Sequence, residues 1–361
     1  MNELRQSISV MPKVAIILPA RESFAPDRAG AIAMVSFRHA SIDQETVVIG
    51  GKQLAAPYSG VRFVDIRRHS AFGFGLGVVG SLIRLRPSVV EVHQQPRLAR
   101  LIALLMPGTR VLLFLHNDPL TMRGLRRRGQ RAAMLRRVHY VVCVSTYLRD
   151  RYRMGLIEDR NLVTLPNPLT LADLPTPSSV RRQEILFVGR IVAEKGVQDF
   201  ISACKVALPH LPGWSARIIG GDRFGPDSPE TTFVQQVRAG AMAADIIFEG
   251  PQPHRYVLSA MAAAAIVVVP SRWPEPFGLT ALEAMASGSA LIAANTGGLA
   301  ELVGDAGILF VPGDVGALTR AITTLAGSEA ERARLANLGR TQAAAYDTTI
   351  IGLRLGILRS G

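Results

Sequence analysis

Short apolar runs alternate with helical patterns along this chain, and the alternation stops once and then starts again. In the first half, buried strands are predicted at residues 14–18, 46–49, 61–64, 89–92, 111–115 and 140–144. Helical patterns lie between them at residues 30–39, 75–85 and 97–105. Alternation of this kind predicts a parallel sheet covered by helices on both faces.

The same alternation returns in the second half. Strands are predicted at residues 185–188, 214–219, 246–249, 266–269 and 291–293, and helices at 197–208, 229–241 and 317–325. Residues 171–179 are rich in proline and have no periodic pattern, which is typical of a linker. We therefore predict an α/β protein with an N-terminal domain over residues 1–170, a linker over 171–182 and a second domain over 183–342. Residues 343–361 are left as a C-terminal helix.

Length, apolar segments and cysteines limit the class of protein. The 361 residues suffice for two domains of ordinary size. The longest apolar run, residues 257–269, is too short for a membrane span, which needs ~20 residues. Residues 1–11 lack the order of a signal peptide. Cys143 and Cys204 each lie in an apolar element, which indicates buried thiols in a reducing compartment. We expect a cytoplasmic protein, with peripheral contact at the inner face of the cell membrane left open.

The positive charge is confined to the first half. Residues 1–180 carry 25 Lys and Arg against 12 Asp and Glu, whereas residues 181–361 carry 16 of each. The stretch from Arg123 to Arg137 has seven arginines and no acid. Leu125, Met134, Leu135 and Val138 would give it an apolar side for an anionic membrane. A solvated basic helix explains the same pattern. Nucleic-acid binding is disfavoured, because interleaved aromatic residues and a recognition module are absent from the sequence.

Two glutamates in the second half form the most specific motif. Glu275 and Glu283 stand eight residues apart, directly after the predicted strand at 266–269. Glu275 lies in the turn before a helix that we predict to start at Phe277, and Glu283 lies inside that helix. The N-terminus of such a helix binds phosphate well. Carboxylates on either side could accept hydrogen bonds from sugar hydroxyls.

These residues resemble a known family. Pro270-Ser271, Glu275-Pro-Phe-Gly-Leu and Glu283-Ala-Met-Ala-Ser-Gly are similar to the donor-site signature of the family-4 retaining glycosyltransferases. Phe187-Val-Gly-Arg, Glu194-Lys-Gly and Asn295-Thr-Gly-Gly resemble further segments of that family and stand in the same order along the chain. The resemblance implies the GT-B fold, in which two Rossmann-like doubly wound parallel-sheet domains face each other across a cleft. It also implies that the C-terminal helix at residues 343–361 crosses back to the first domain.

The resemblance also implies roles for residues of the second domain. Arg190 and Lys195 would bind the donor pyrophosphate, Glu275 the sugar hydroxyls and Glu283 the ribose. The backbone amides of Phe277, Gly278 and Leu279 would face sugar and phosphate. Gly220 and Gln252 follow two predicted strands and are assigned to the nucleobase side, which leaves uracil and guanine both open.

In the first domain the resemblance assigns His116, at the end of a predicted strand, to the reacting centre. His93 ends another strand and is a candidate for the acceptor side, as are Arg21 and Arg28 in the loop after the first strand. That loop ends in Gly30-Ala31, where the family usually has two glycines that let the backbone approach the donor phosphate and the acceptor, so the resemblance assigns Gly30 to donor binding. If position 31 needed a positive φ, alanine there would cost about 1 kcal/mol or more.

The sequence thus predicts a retaining glycosyltransferase that uses a UDP- or GDP-sugar. Asp-x-Asp is absent from the sequence, so we expect no metal ion and no other cofactor. The expected acceptor is an anionic glycan or lipid-linked glycan of bacterial polysaccharide or lipopolysaccharide synthesis. The alternative is a catalytically weak sugar-nucleotide-binding protein of the same fold. A Rossmann oxidoreductase is disfavoured, because no Gly-x-Gly-x-x-Gly follows the first strand. A GT-B phosphorylase is disfavoured by the short chain.

Overall fold

The computed structural model describes residues 13–26, 29–51, 53, 55–67, 70–176, 180–222 and 230–361. Its strands are β1 Val14–Ile17, β2 Thr46–Gly51, β3 Arg62–Ile66, β4 Val89–His93, β5 Arg110–Leu115, β6 Tyr140–Cys143, β7 Leu162–Thr164, β8 Arg182–Val188, β9 Ser215–Ile219, β10 Ile246–Gly250, β11 Ala264–Val269, β12 Ala290–Ala294 and β13 Gly307–Phe310.

The helices connect these strands in the order expected of doubly wound units. They are α1 Ala31–Ala40, α2 Ala71–Leu85, α3 Pro96–Leu105, α4 Arg128–Leu135, α5 Thr146–Arg153, α6 Val197–Ala207, α7 Thr232–Met242, α8 His254–Ala263, α9 Leu279–Ala286, α10 Gly297–Val303, α11 Val315–Gly327, α12 Glu329–Ala344 and α13 Thr348–Ser360. Among the described residues, none of these helices is both long and apolar enough to cross a membrane.

The chain divides into two compact units. The first takes the described residues up to Val144, then Arg149–Leu165 and Gly352–Gly361. The second takes Ser145–Leu148 and the described part of Pro166–Ile351. The predicted linker at 171–182 is counted with the second unit, and its residues 177–179 lie outside the described residues. The chain returns to the first unit at Gly352, within α13.

Each unit is built on one parallel sheet. The first sheet has the strand order β3-β2-β1-β4-β5-β6-β7, and the second has the order β10-β9-β8-β11-β12-β13. All described pairings within them are parallel, for example Ile16 beside Val48 and Ile266 beside Ile185. The predicted α/β class with two doubly wound sheets is confirmed.

The apolar composition of the strands explains why they are central. β1, β11 and β12 are buried along their whole length. Both faces of these sheets are covered by helices, so continuous apolar runs are favoured over alternating ones. Glu91 in β4 is an exception, because it is a charged residue with no exposed surface in a wholly buried strand.

Candidate active site

The strand order of the second unit defines where a ligand would bind. From β8 the chain adds β9 and β10 on one side, then crosses to place β11 on the other side of β8. Loops leaving the carboxyl ends of β8 and β11 therefore diverge at a topological switch point, the usual ligand site of open α/β sheets. Lys195 belongs to the first of these loops, and Glu275 belongs to the second.

Lys195 and Glu275 form an ion pair at this switch point. The Lys195 ammonium donates to Oε1 of Glu275, and the Ser271 hydroxyl donates to the same oxygen over 2.5 Å. The side chain of Lys195 is 25% exposed, whereas that of Glu275 is 8% exposed. Glu275 therefore holds a partly accessible cation beside the end of β8.

Glycine permits the close contact between the two loops. Gly196 has a φ of +71° and begins α6. A Cβ atom there would collide with the carbonyl oxygen of Pro270 at the end of β11. Any larger residue would separate the loop of Lys195 from the loop of Glu275 or strain the backbone.

The N-terminus of α10, which follows β12, fixes the backbone around Glu275. The amide of Gly298 donates to the Glu275 carbonyl over 2.7 Å. Gly297 has a φ of +56°, and a Cβ atom there would collide with the same carbonyl oxygen. The Ser145 hydroxyl also donates to the Pro276 carbonyl over 2.6 Å. Glu275 is thus held by its backbone as well as by its side chain.

The helix after Glu275 has an uncapped N-terminus. Gly278 is the N-cap residue, with a φ of +108° and no side-chain hydrogen bond. The first amides of α9 have no intrahelical acceptor, so they can bind an anion. The helix starts at Leu279 rather than at Phe277 as predicted. The Phe277 side chain is buried and packs edge-on against Tyr346, with ring centroids 5.8 Å apart; only its backbone is suited to a ligand.

Glu283 has a partner that the sequence did not reveal. Its Oε1 lies 2.9 Å from Nε2 of His254, the first residue of α8. Glu283 is buried in the fifth position of α9, while a third of the His254 side chain is exposed. The histidine follows the turn that contains Gln252. Its position two residues after Gln252, close behind a predicted strand, was the signal that the sequence offered.

The remaining predicted residues of this unit lie at neighbouring strand ends. Arg190 is exposed just beyond β8, and its side chain makes no hydrogen bond or ion pair within the described ranges. Gly220 follows β9 with a φ of +152°, and a Cβ atom there would collide with the Gly189 carbonyl. Gln252 is exposed in the turn after β10. All three lie at the carboxyl edge of the sheet that also carries Lys195.

In the first unit the switch point lies between β1 and β4. Two glutamines follow β4 there. The Gln95 amide donates to the Leu18 carbonyl over 2.9 Å and so connects the ends of these strands. Gln94 has a φ of +59°, and its Oε1 accepts a hydrogen bond from the backbone amide of His116 over 2.7 Å. Neither glutamine was predicted as a site residue.

His116 is joined to His93 rather than isolated at its strand end. Nε2 of His116 lies 2.9 Å from Nδ1 of His93. The His116 ring is 8% exposed, and His93 has no exposed surface. The prediction that His93 lines the acceptor side is therefore wrong. Its position in the fully buried β4 turns the ring into the core, against His116 and the Phe114 ring.

Glu22, in the loop after β1, connects that loop to the N-terminus of α1. Glu22 accepts a hydrogen bond from the Ala33 amide at the N-terminus of α1, and burial raises the pKa of this carboxyl. Gly30 has a φ of −78°, and Ala31 is not among the residues with positive φ. Alanine at 31 therefore carries no such strain. Arg21 is exposed, and Arg28 lies outside the described residues.

The arginine-rich segment of the first unit differs from the prediction. Its apolar residues Leu125, Met134, Leu135 and Val138 are all buried in the unit, and Met134 and Leu135 belong to α4. Arg131 is also buried and donates to four backbone carbonyls, including that of Tyr152 over 2.7 Å. An apolar face for membrane insertion is thus not present here. The other six arginines of the segment are exposed.

A cavity of about 630 Å³ lies next to the Gln94 and Gln95 pair. Its walls are mostly apolar and come from α2, α3 and the loop containing Met122. Phe72 and Leu101 are exposed there, and Arg97 and Arg123 are the charged residues of its lining. The cavity is therefore an apolar groove with a cationic rim.

Comparison with solved structures identifies the fold class. HepE of Anabaena, whose crystal structure is in complex with UDP and glucose, superposes with a TM-score of 0.79 at 18% identity, covering 97% of this chain and 100% of that one. WaaG, a glycosyltransferase involved in lipopolysaccharide biosynthesis, superposes with a TM-score of 0.70 at 16% identity, covering 96% of this chain and all of the other. At these identities the likeness concerns the fold. The protein has the GT-B glycosyltransferase fold.

Sequence comparison finds similarity to glycosyltransferases in the second half of the chain. The family described as glycosyl transferases group 1 matches residues 175–342. A glycogen synthase of Mycobacterium tuberculosis is 36% identical over 163 residues, which are 44% of this chain and 37% of that protein. The chain thus spans little more than a third of this curated relative. A lipopolysaccharide core mannosyltransferase of Rhizobium meliloti is 36% identical over 116 residues, 32% of each chain. Residues 175–342 are thus similar to the group 1 glycosyl transferases.

Proposed function

We propose that this protein transfers a sugar from a UDP- or GDP-sugar to an anionic or lipid-linked glycan, with retention of anomeric configuration. The observation that carries the proposal is the Lys195–Glu275 pair at the switch point of the second unit. The family match covers this unit, and the neighbour solved with UDP and glucose supports a nucleotide-linked donor. The relatives named for lipopolysaccharide synthesis support a cell-surface glycan product.

In the proposed reaction, the bond between the anomeric carbon and the phosphate oxygen breaks. A bond from that carbon to the acceptor oxygen forms on the same face. The acceptor hydroxyl proton passes to the leaving phosphate oxygen, so the products are the glycoside and a nucleoside diphosphate. Lys195, Arg190 and the first amides of α9 stabilise the charge that develops on the phosphate. Glu275 orients the sugar hydroxyls, and Glu283 accepts from the ribose.

We also propose that transfer needs no metal ion. Lys195 and Arg190 supply two positive charges at the carboxyl end of β8, the place where a metal ion would otherwise neutralise the diphosphate. Transfer measured in excess EDTA should equal transfer without it. A rate restored only by added Mg²⁺ or Mn²⁺ would refute this part of the proposal.

The acceptor is proposed to bind the first unit through charge. The six exposed arginines between Arg123 and Arg137 suit an anionic group, and the groove near Gln94 can take an apolar chain. We propose peripheral contact with anionic lipid at the inner face of the cell membrane, made by these guanidinium groups. Flotation with vesicles of phosphatidylglycerol should show binding that salt removes. Equal binding to phosphatidylcholine vesicles would contradict the charge argument.

The donor can be tested without knowing the acceptor. Trp273 lies two residues before Glu275, and the chain has two tryptophans. In a Trp214→Phe variant, Trp273 emission should respond to either UDP or GDP in a saturable titration, and the same nucleotide should raise the melting temperature. Lys195→Met should weaken this binding, and Lys205→Met, which changes an exposed lysine of the same unit, should not. If no nucleotide changes emission or melting, the donor proposal fails.

The alternative is a protein that binds sugar nucleotides without transferring the sugar. Donor hydrolysis in the absence of acceptor separates the two functions. Slow release of free sugar that disappears in Lys195→Met supports a transferase. Tight binding with no hydrolysis and no transfer to extracts of cell-surface glycans supports the alternative.

A further inference from the structure

A chain of buried polar groups in the first unit leads to His116. It begins at Glu91, whose Oε1 accepts from Nε of Arg359 over 2.7 Å. Its Oε2 lies 3.2 Å from Nδ1 of His39 and 3.5 Å from Nε2 of His93. Burial opposes ionisation of Glu91, but the Arg359 guanidinium and the neighbouring His39 and His93 rings hold the pKa of this carboxyl well below its usual range. Glu91 is therefore a buried carboxylate.

The carboxylate determines which nitrogen of His93 carries a proton. Oε2 of Glu91 lies 3.5 Å from Nε2 of His93, which makes no hydrogen bond within the described residues, and a lone pair on that nitrogen would be repelled by the carboxylate oxygen. Nε2 is therefore protonated. Burial lowers the pKa of His93, so the ring is neutral and its Nδ1 is an acceptor.

The same reasoning passes to the next ring. Nδ1 of His93 lies 2.9 Å from Nε2 of His116, so Nε2 of His116 is the donor. Burial, and then the neighbouring His93, lower the pKa of His116 well below its usual value, so this ring is neutral too. Its Nδ1 keeps a lone pair and makes no hydrogen bond within the described residues.

We propose that Arg359, Glu91 and His93 are positioning residues that fix His116 with its proton on Nε2, so that Nδ1 accepts a hydrogen bond from a substrate hydroxyl. Contact with a substrate hydroxyl rests on the proposed glycosyl transfer. The assignment of the tautomer does not depend on the proposed glycosyl transfer. His116 therefore acts as a hydrogen-bond acceptor in the first unit.

The same groups could be taken for a metal site. Donor atoms of His39, Glu91 and His93 lie within 4.8 Å of one another and are buried. Arg359, however, already places a guanidinium on Glu91, and a divalent ion would be repelled by that charge. The arrangement favours hydrogen bonding over metal coordination.

The tautomer can be measured directly in the full-length protein. In a sample with ¹⁵N-labelled histidine, two-bond correlation spectra distinguish protonated from unprotonated ring nitrogens. The peaks of His116 are assigned by their loss in His116→Asn. We expect an unprotonated Nδ1 and a protonated Nε2 for both His93 and His116. A proton on Nδ1 of His116 would overturn the proposal.

Glu91→Gln tests the relay itself. Arg359 must donate to the amide oxygen, so the amide nitrogen takes the place of Oε2 and donates to Nε2 of His93. His93 then carries its proton on Nδ1, and His116 is forced to the opposite tautomer. We expect this reversal in the spectrum. An unchanged tautomer in folded Glu91→Gln would refute the relay, and if that variant does not fold, the wild-type spectrum decides alone.

Ser36→Ala is the control. The Ser36 hydroxyl lies 3.5 Å from Nδ1 of His93, at the limit of a hydrogen bond, so its loss should leave both tautomers unchanged. A reversal in Ser36→Ala would assign the tautomer to Ser36 and overturn the proposal.

Activity separates this proposal from the proposed function. Glu91→Gln should lower kcat about tenfold with an unchanged nucleotide affinity, because one hydrogen bond to substrate is lost. If the spectra show the expected tautomers but no transfer is found with any donor, the proposed function fails and the relay stands. If transfer occurs and Glu91→Gln has full kcat despite the reversed tautomer, the role of Nδ1 is refuted.

Discussion

The second unit presents its charged pair at a partly accessible switch point, whereas the first unit keeps its charged pair in the core. Lys195 and Glu275 lie between loops that meet through glycine contacts, and a quarter of the lysine side chain is exposed. In the first unit Glu91 has no exposed side-chain surface, 8% of the Arg359 side chain is exposed, and His93 and His116 follow Glu91 in the chain of polar groups. The pair proposed to contact a ligand thus lies on loops, whereas the pair proposed to orient a histidine ring lies in a helix and a strand.

Breaking the buried Arg359–Glu91 pair should lower the free energy of unfolding more than it lowers activity. Arg359→Met leaves Glu91 ionised and unpaired in the core, which typically costs about 3–5 kcal/mol. Urea unfolding followed by circular dichroism should show this loss, while Trp214 and Trp273, both in the second unit, report that unit alone. Arg354→Met, at an exposed position of the same helix, is the control. An equal effect of both variants would contradict the distinction.

Breaking the Lys195–Glu275 pair should instead lower the rate of transfer more than the free energy of unfolding. Lys195→Met should reduce transfer about 100-fold, since loss of one preorganised group that stabilises developing charge has an effect of this size. Its free energy of unfolding should change much less than that of Arg359→Met. The rate is measured with saturating donor, and Lys205→Met serves as reference. Full activity in Lys195→Met would remove it from the site.

The loop contact at the second switch point should be sensitive to a single methyl group. Gly196→Ala combines a φ of +71° with a collision against the Pro270 carbonyl, so we expect a loss of about 2 kcal/mol in unfolding free energy. Gly240→Ala, within α7 and with only ordinary contacts, should gain about 0.5–1 kcal/mol. Tryptophan emission during urea unfolding measures both. A neutral Gly196→Ala would show that the loops can move apart freely.

The smallest expected effect is the loss of stability of the first unit in acid, because His93 and His116 both belong to that unit. The pKa values of His93 and His116 are lowered in the folded protein, so the unfolded chain takes up their protons first. Stability falls by about 1 kcal/mol per histidine for each pH unit below the unfolded value near 6.5, and Glu91 adds its loss below about 4.3. Melting curves between about pH 7.5 and 5.5 should show a shallower slope in His116→Asn. An identical slope would exclude His116 as a source.

The sequence predicts the sheets well because their strands are buried. Eleven strands coincide with apolar runs, but β7 and β13 are short edge strands and were not predicted. α8 was missed because it passes into β11 without a loop, so its alanine-rich end and the strand read as one apolar run. The helix α12 was also not predicted.

The sequence predicted only part of the candidate site. Lys195 and Glu275 follow strands within recognisable motifs, so the sequence brings them to one edge. The partners of the other residues depend on distant contacts. Arg359 lies 268 residues beyond Glu91, and no local pattern connects them. A signal nevertheless existed, because a single glutamate inside a wholly apolar strand requires a buried partner.

The origin of Arg359 in α13 has a consequence for biosynthesis. A ribosome makes Glu91 long before the residue that neutralises it, and the whole second unit is translated in the interval. The first unit cannot complete its core during that time. We therefore expect nascent chains that end before Gly352 to bind chaperones through the first unit, although the second has already folded.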